Sequence, residues 1–384
     1  MKKIYYIAVV FAILFLAGCG DGIDLPGVNV ETDLNKIPLP DNNVNLEQVE
    51  LKPSTEPMLH EGLHTEEDFQ RIRDKKAAGE EPWVSAYQLL VESQFSQKTA
   101  DTYPTEWIKR GVSGDENYMN AARGATIAYQ QALRWKIEQD DEYAAKAVEN
   151  LNKWVQTCVG VTGNTNLSLA AGLYGYEFAI AGELLRDYEG WDRADFAAFQ
   201  NWLLKVFYPA NDDFLKRHHD TNALHYWANW CLCNIAAKMA IGIVTDRRDI
   251  YNEGIDHLQT GDTNGRLRRA IYHDYAPDYN FAQWQESGRD QGHTLMCVGL
   301  MGVICQLAWS QGDDFFAYDD NLFLRACEYA ACCNYTNETV PYTTYIWQKQ
   351  SQWGYPIPEE QTTLGGGKWI KRAIWALPYY HYKG

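Results

Sequence analysis

Two stretches of the sequence collect residues that can bind anions and transfer protons. The first, 222–230, contains Asn222, His225, Tyr226 and Asn229. Residues three and four positions apart share one side of a helix, so a helix here would present an imidazole, a phenol and two amides together. The alternative interpretation is a hydrogen-bonded core histidine and core asparagines, because buried polar groups are normally paired.

The second stretch has the sequence QWQESGRDQGHT and contains Ser287 and Asp290 at capping-box spacing, which predicts a helix beginning at Ser287. Arg289 would then lie in the first turn, with His293 one turn further on. Both would stand near a helix N-terminus, where the helix dipole favours anions. A guanidinium and an imidazole beside free backbone N–H groups would form a carboxylate pocket. The alternative is that Asp290 only caps the helix and Arg289 only pairs with Glu286.

Apolar residues at three- and four-residue spacing predict helix after helix around these two stretches. Strands are predicted only within about the last fifty residues, where 340–347 and 369–382 are rich in Thr and aromatic residues. The predicted helices cover 118–137, 142–159, 167–188, 193–207, 224–244, 248–258, 293–309 and 321–333.

Long helices joined by short links predict an all-α fold of stacked helical hairpins. The helix 224–244 is apolar on nearly all sides, whereas 248–258 is amphipathic, as expected of the inner and outer helices of a ring. We therefore predict an (α/α) toroid or incomplete barrel, with few short strands near the C-terminus. An open solenoid would show a fixed sequence period, and none is visible.

The N-terminus has the features of a processing signal. Lys2 and Lys3 precede an apolar run, 4–16, that is short for a membrane span and ends in the lipobox-like sequence LAGC at Cys19. We predict acylation of Cys19 and a protein anchored by lipid in the periplasm, at the outer membrane or at the cell surface. An ordinary secretory signal is the alternative. The predicted segments are a signal peptide (1–18), a flexible tether (19–57) and one folded domain (58–384).

The formal net charge of −17 argues against nucleic acid as a partner, because a protein of this charge repels polyanions at long range. An acidic polysaccharide would therefore have to be held by a local cluster of cationic and amide side chains. The basic run 216–219 would supply part of that charge. The 14 Trp and 25 Tyr fit either a large aromatic core or a surface that stacks on sugar rings.

The nine cysteines show neither zinc-site nor small-domain disulfide spacing. Apart from Cys19 they lie in apolar helical stretches, so we expect buried thiols, with one or two disulfides left open. No metal site is predicted.

Four stretches in combination resemble the bacterial alginate lyase family: 64–83, 225–230, 283–293 and 341–345. The resemblance runs from about His60 nearly to the C-terminus. It implies an (α/α) toroid and a lyase that acts on a polyuronate without a required metal. We expect no other cofactor, no partner besides the polysaccharide and the lipid anchor, and a monomer. The family carries an Asn-Asn-His element, an Arg, and a Tyr shortly after that Arg. Here His225 stands near the first element and Arg289 at the second, while His293 occupies the neighbourhood of the tyrosine.

The chemistry that the resemblance implies is β-elimination at a uronate, in which removal of the C5 proton builds charge beside the carboxylate. Arg289 would neutralise the carboxylate, His225 is the first choice for the base, and either Tyr226 or His293 would be the acid. Trp284 would stack on a sugar ring. The remaining predicted substrate contacts are Asn222, Asn229, Gln285, Glu286 and Tyr342.

Two other functions fit the same features. A helical-ring glycoside hydrolase would use a carboxylate pair, here Glu286 and Asp290, and would release saturated sugars. A non-catalytic glycan-binding lipoprotein would need the anchor and the aromatic residues, but not a cluster of His, Arg and amide groups.

Overall fold

The structure, a computed structural model, describes residues 54–383 of the chain. The predicted signal peptide, the predicted acylation site Cys19 and all but the end of the tether lie outside the described residues. The described residues form two compact units. Unit 1 comprises Ser54–Asp212 and Ala236–Gly254, and unit 2 comprises Asp213–Ile235 and the described chain from Ile255 onward.

Helices make up most of the described chain, and the predicted helices are confirmed with ends shifted by up to four residues. In chain order the helices are α1 (Glu66–Ala77), α2 (Trp83–Glu92), α3 (Tyr118–Glu138), α4 (Asp141–Thr157), α5 (Leu167–Leu184), α6 (Arg193–Val206), α7 (Tyr208–Arg217), α8 (Ala228–Val244), α9 (Arg248–Thr260), α10 (Leu267–Ala270), α11 (Gln291–Trp309), α12 (Tyr318–Tyr335) and α13 (Ala376–Lys383).

Helix α1 begins with a capping box. The Thr65 hydroxyl accepts a hydrogen bond from the Asp68 backbone N–H at 3.2 Å, and the Asp68 carboxylate accepts one from the Thr65 N–H at 2.9 Å. This reciprocal capping box satisfies two backbone donors at the helix start.

The core of unit 1 is built around α5, in which every residue from Ser168 to Leu184 is buried. Small residues let its neighbours approach closely: a Cβ placed on Gly182 would lie 2.1 Å from the Phe199 ring of α6. Helix α3 packs against both α4 and α5. A helix that is apolar on all sides is expected at such a central position.

The core of unit 2 contains α11, which packs against α12. Helix α11 is long and apolar enough to cross a membrane, but 72% of its most apolar window is buried inside the protein. This burial is typical of a core helix.

Short strands form three two-stranded sheets among the described residues. The pairs are β1 (Trp107–Arg110) with β2 (Gly160–Gly163), parallel, and β3 (Ile271–Asp274) with β4 (Ala282–Trp284) and β5 (Tyr345–Gln350) with β6 (Pro356–Gln361), both antiparallel. The prediction that strands occur only near the C-terminus is therefore wrong for the first two pairs, whose three or four residues are too few for a period-two pattern. It is also wrong for the end of 369–382, which forms α13.

Helix α8 begins at Ala228, four residues later than predicted, and this difference shapes the candidate site. The first N–H groups of α8 donate to side chains from another part of unit 2: Ala228 N to Gln285 Oε1 at 3.0 Å, and Asn229 N to Glu286 Oε1 at 3.1 Å. These long-range acceptors satisfy donors that a helix start leaves unpaired. No local cap in the sequence could have predicted that start.

The eight cysteines within the described residues are all buried free thiols. The prediction of buried thiols is confirmed for them.

Candidate active site

His225 lies in a loop before α8, not on the helix, so the predicted helical grouping of Asn222, His225, Tyr226 and Asn229 is wrong. Side chains from elsewhere in unit 2 bind the loop's backbone carbonyls. The Asn264 amide donates to the carbonyls of Leu224 and Tyr226 at 3.0 and 2.9 Å. Because these carbonyls are already bonded, the loop is held open instead of continuing the helix.

Strand β5 fixes the His225 ring from the other side. The Gln350 backbone N–H donates to His225 Nδ1 at 2.8 Å, and the Trp347 indole donates to the His225 carbonyl at 2.7 Å. The Trp347 ring stacks on the imidazole, with centroids 6.0 Å apart and planes 13° from parallel. The Asn222 amide also donates to β5, to the Gln348 carbonyl and to Gln350 Oε1.

The hydrogen bond to His225 Nδ1 decides which atom of this ring carries the proton. An atom that accepts from a backbone N–H is unprotonated, so the neutral imidazole is protonated on Nε2. Burial, and then the charge of Lys349, lower the pKa of His225, which favours this neutral form. A neutral ring protonated on Nε2 is a donor there, so the predicted role of His225 as the base does not fit this geometry.

Arg289 lies in the turn between β4 and α11, two residues before the helix begins. The prediction that the helix starts at Ser287 is wrong: Asp290 is the N-cap of α11 and accepts from the His293 backbone N–H at 2.8 Å. Arg289 Nη1 donates to Glu286 Oε2 at 3.3 Å. Its guanidinium lies 5.3 Å from the centroid of the Trp227 ring. Both contacts of the alternative interpretation are thus present: Asp290 caps the helix, and Arg289 pairs with Glu286.

Asp290 also holds the His293 side chain. His293 Nδ1 donates to Asp290 Oδ2 at 2.6 Å. Burial alone would raise the pKa of Asp290, but the hydrogen bond and charge of His293 outweigh it and lower the pKa, so the carboxyl is ionised. When the His293 ring is neutral, the hydrogen bond to Asp290 holds its one proton on Nδ1 and leaves the lone pair on Nε2. This is the protonation state of a base.

The two stretches predicted from the sequence meet in unit 2. The buried Glu286 carboxylate accepts from the Asn229 backbone and amide N–H groups at 3.1 and 2.5 Å, and from Arg289 at 3.3 Å. Trp227 packs against residues that hold each segment. Its ring stacks on Trp347, which binds the His225 loop, with centroids 4.6 Å apart, and its face lies against the Arg289 guanidinium. The imidazole-bearing and guanidinium-bearing segments are therefore linked through Glu286, while a cavity shared by His225 and Arg289 stays a prediction.

Several predicted substrate contacts are buried supports instead. Trp284 is 0% exposed and its indole donates to the Ala326 carbonyl, so it cannot stack on a sugar. Glu286 is also 0% exposed, and its oxygens serve Asn229 and Arg289. The same correction applies to Asn229, Gln285 and Tyr342, which are at most 3% exposed and hydrogen-bonded inside the protein. Asn222 is partly exposed, but its amide is committed to β5.

Tyr226 is 8% exposed and packs among aromatic rings, with Phe214 and Trp230 centroids 5.1 and 4.7 Å away. This position does not favour the predicted proton transfer to a leaving group. The basic run upstream also contributes less charge than predicted. Arg217 pairs with Asp213 at 2.6 Å, and burial lowers the pKa of His218 to about 4, which leaves it neutral at pH 7.

Other residues that position the site were missed from the sequence. Asn264, Trp347 and Gln350 act on His225 from distant parts of the chain, and no local pattern marks them. A glycine-rich loop at Gly365 packs against the Arg289 turn. The Gly365 N–H donates to the Ser287 carbonyl at 2.7 Å, and the Gln291 N–H donates to the Gly366 carbonyl at 2.8 Å. The run of three glycines was a visible sign of close backbone approach.

No group of three or more His, Cys, Asp or Glu side chains that could hold a metal ion occurs within residues 54–383.

Comparison with known proteins identifies the family. The alginate lyase family matches residues 72–338 of this chain. The chain belongs to the alginate lyase family. It is therefore a polysaccharide lyase that cleaves a uronate polymer by β-elimination, as the sequence resemblance implies.

Solved structures show the fold. The chain is similar to alginate lyase A1-III from Sphingomonas species A1, with 13% identity over 72% of this chain and 79% of that chain and a TM-score of 0.50. It is also similar to an alginate lyase from Bacteroides ovatus, with 16% identity over 68% of this chain and 81% of that chain and a TM-score of 0.49. The former likeness confirms the predicted (α/α) toroid class for this alginate lyase. No curated protein sequence matches the chain.

Proposed function

We propose that this family member cleaves its polyuronate at the His225 loop and the Arg289 turn of unit 2, with His293 transferring the proton. The observation that carries the proposal is the shared support of the two segments. One buried carboxylate, Glu286, accepts hydrogen bonds from Asn229 and Arg289, so the two segments are held against each other.

Arg289 and His225 are the proposed partners of the substrate carboxylate. Loss of the C5 proton turns a uronate into an enolate-like anion, which is too unstable to form unless nearby donors stabilise its charge. Arg289 supplies a permanent cation that is 26% exposed, and neutral His225 supplies an Nε2–H donor. Both are fixed before substrate arrives, Arg289 by Glu286 and Trp227, and His225 by β5.

His293 is the proposed base, oriented by Asp290. Its Nε2 lone pair takes the C5 proton, the electron pair of that bond forms the C4–C5 double bond, and the C4–O bond breaks. The imidazolium then returns the proton to the departing oxygen. Ionised Asp290 stabilises the imidazolium between these steps. The products are a chain with a new hydroxyl end and a chain with a 4,5-unsaturated uronate.

The glycoside hydrolase alternative has little support from the two carboxylates it requires. Glu286 is fully buried and occupied by Asn229 and Arg289. Asp290 caps α11 and binds His293. Neither is free to protonate a glycosidic oxygen.

A direct test incubates the protein with polymannuronate, polyguluronate and polyglucuronate and records the ultraviolet absorbance of unsaturated uronate. We expect absorbance to rise with at least one polymer. Arg289→Ala should lower kcat/KM by roughly 10²-fold or more, on the scale of a lost transition-state donor. Arg217→Ala is the matched control, because it removes an arginine that is paired with Asp213 on the surface. Near wild-type turnover by Arg289→Ala would refute the assignment.

We also propose that the enzyme is an acylated monomer anchored through Cys19, based on the lipobox-like sequence. Cys19→Ser should move the protein from the membrane fraction to the soluble fraction after expression in a bacterium that processes lipoproteins. Retention of that variant in the membrane would contradict acylation at Cys19. Light scattering of the soluble form should give the mass of one chain.

A further inference from the structure

Arg269, in α10, is a cation beside the candidate active site whose guanidinium contacts no carboxylate directly within the described residues. Its guanidinium makes no hydrogen bond or ion pair with any residue from 54 to 383, and its Nε atom is shielded from solvent. Burial, and then the charge of Arg266, lower the pKa of Arg269. The charge of the exposed Asp262 carboxylate opposes these two effects without outweighing them. A half-buried cation whose charge is only partly compensated is unfavourable in the free protein.

Neighbouring arginines of unit 2 do have carboxylate partners. Arg268 pairs with Asp319, and Arg325 pairs with Asp274 at 2.8 Å. In an acidic protein, carboxylates to neutralise an arginine are plentiful. The arrangement around Arg269 therefore points to an anion that comes from outside the chain.

Tyr272, in β3, provides a second donor without a partner. Its hydroxyl is shielded from solvent and makes no hydrogen bond in the described chain. Burial raises the pKa of Tyr272 to about 12, so the hydroxyl keeps its proton at neutral pH. A protonated phenol and a guanidinium are both donors, which suits a carboxylate with two acceptor oxygens.

Arg269 and Tyr272 line one small pocket of about 20 Å³, together with Asn264 and Gln285. The pocket borders the loop that carries His225. Leu224, which precedes His225, also lines it, and Asn264 is the residue that holds the His225 loop. A backbone hydrogen bond also links the two segments: the N–H of Gln285, the residue before Glu286, donates to the carbonyl of Ala270, the residue after Arg269, at 2.9 Å.

We propose that Arg269 and Tyr272 bind the carboxylate of a second uronate residue, next to the one whose C5 proton is removed. This inference rests on the proposed function, because only a polyuronate presents a carboxylate on every sugar. The pocket makes the enzyme select chains with consecutive charged residues, and it helps an acidic protein hold a polyanion.

The kinetic test compares Arg269→Gln and Tyr272→Phe with wild type on the polyuronate that is cleaved best. Arg269→Gln should raise KM by about tenfold or more with kcat changed less than about threefold, since a charge-assisted hydrogen bond is lost in ground state and transition state alike. Tyr272→Phe should raise KM by a smaller factor. Arg268→Gln, which removes the neighbouring paired arginine, should leave KM unchanged. An unchanged KM in Arg269→Gln, or an equal rise in Arg268→Gln, would overturn the proposal.

A binding test separates this proposal from the proposed function. Calorimetry measures the affinity of His293→Ala for an oligouronate and for the same oligosaccharide with its carboxyl groups reduced to alcohols. Adding Arg269→Gln to His293→Ala should lower the affinity for the charged oligouronate by about tenfold. The affinity for the reduced oligosaccharide should hardly change. Equal weakening of both ligands would overturn the carboxylate pocket. If wild type cleaves no polyuronate, the proposed function fails, and the affinity ratio still tests the pocket. Thermal unfolding of each variant checks that it folds.

Discussion

The Asp290 carboxylate holds His293 at two points, accepting from its backbone N–H at 2.8 Å and from its ring Nδ1 at 2.6 Å. The same side chain therefore starts helix α11 and sets the protonation state of the imidazole that follows one turn later. A capping residue thus becomes part of the proton-transfer site.

Replacing Asp290 by Asn separates these two tasks. Asn is a good N-cap, so the melting temperature should change little. Its amide can donate to His293 Nδ1, which would move the ring proton to Nε2 and remove the base. We expect kcat to fall by about 10²-fold or more, as when a histidine is held in the wrong tautomer. The rate of unsaturated-uronate formation measures the effect.

The matched control for Asp290→Asn is Asp192→Asn, the same change at the N-cap of α6, where Asp192 accepts from Ala194 N at 2.8 Å. That variant should keep wild-type turnover. Full activity in Asp290→Asn would show that Asp290 is only a cap.

Glu286→Gln tests whether the buried carboxylate positions Arg289 rather than acting on substrate. An amide cannot offer two anionic oxygens to Asn229 and Arg289, and a buried group would be left badly paired. We expect a loss of about 1–3 kcal/mol in the free energy of unfolding, together with a fall in kcat/KM. Urea denaturation and the unsaturated-product assay measure the two effects.

Glu183→Gln is the control for Glu286→Gln, because Glu183 also forms a buried carboxylate–arginine pair, with Arg186 at 2.9 Å in unit 1. It should lose stability without losing turnover beyond the unfolded fraction. If Glu286→Gln loses stability but keeps the turnover of its folded fraction, Glu286 does not position the reacting groups.

The helices could be predicted because their apolar spacing is local. The spacing located α3, α4 and α6 to within about two residues. The start of α8 could not be predicted in this way, because its donors are satisfied by Gln285 and Glu286, 57 positions further along the chain. The burial of a side chain also depends on residues that are distant in the chain, so local spacing does not predict it.

For the same reason the sequence located the candidate site but assigned some residues to the wrong tasks. His225, Arg289 and His293 were marked by residue type and spacing. The protonation state of His225 depends on Gln350, 125 positions away, which no motif indicates. Trp284 was expected to meet sugar because it stands in the motif, yet its indole is inside the core. Local sequence gives the chemistry a residue can do, and tertiary contacts decide which part it does.

The stability of the fold should fall as the pH drops from 7 to 5, and His218 is one cause. Burial, and then the charges of His257 and His219, lower its pKa to about 4, against an ordinary 6.5. Since the folded-state pKa is the lower one, the unfolded chain binds the proton first. The contribution of His218 is complete above pH 6.5 and is lost as the pH falls towards 4. We expect His218 to cost about 2 kcal/mol at pH 5.

Urea denaturation of wild type and His218→Asn at pH 7 and pH 5 measures this contribution. Asn suits the positive φ of 49° at this position and has no proton to bind. The variant should lose about 2 kcal/mol less than wild type between the two pH values. An identical loss in both proteins would mean that His218 is not protonated differently on unfolding.

Gly365 supports the Arg289 turn by lacking a side chain, and its neighbour Gly366 provides the control. A Cβ on Gly365 would lie 2.5 Å from the Arg289 carbonyl carbon and 2.6 Å from the Asp290 nitrogen, whereas a Cβ on Gly366 would meet nothing within 4 Å. Gly365→Ala must displace the turn, so we expect kcat/KM to fall by about tenfold or more and stability by about 1–3 kcal/mol. Gly366→Ala should change each far less. Equal effects of the two substitutions on turnover would show that the turn does not need this close backbone approach.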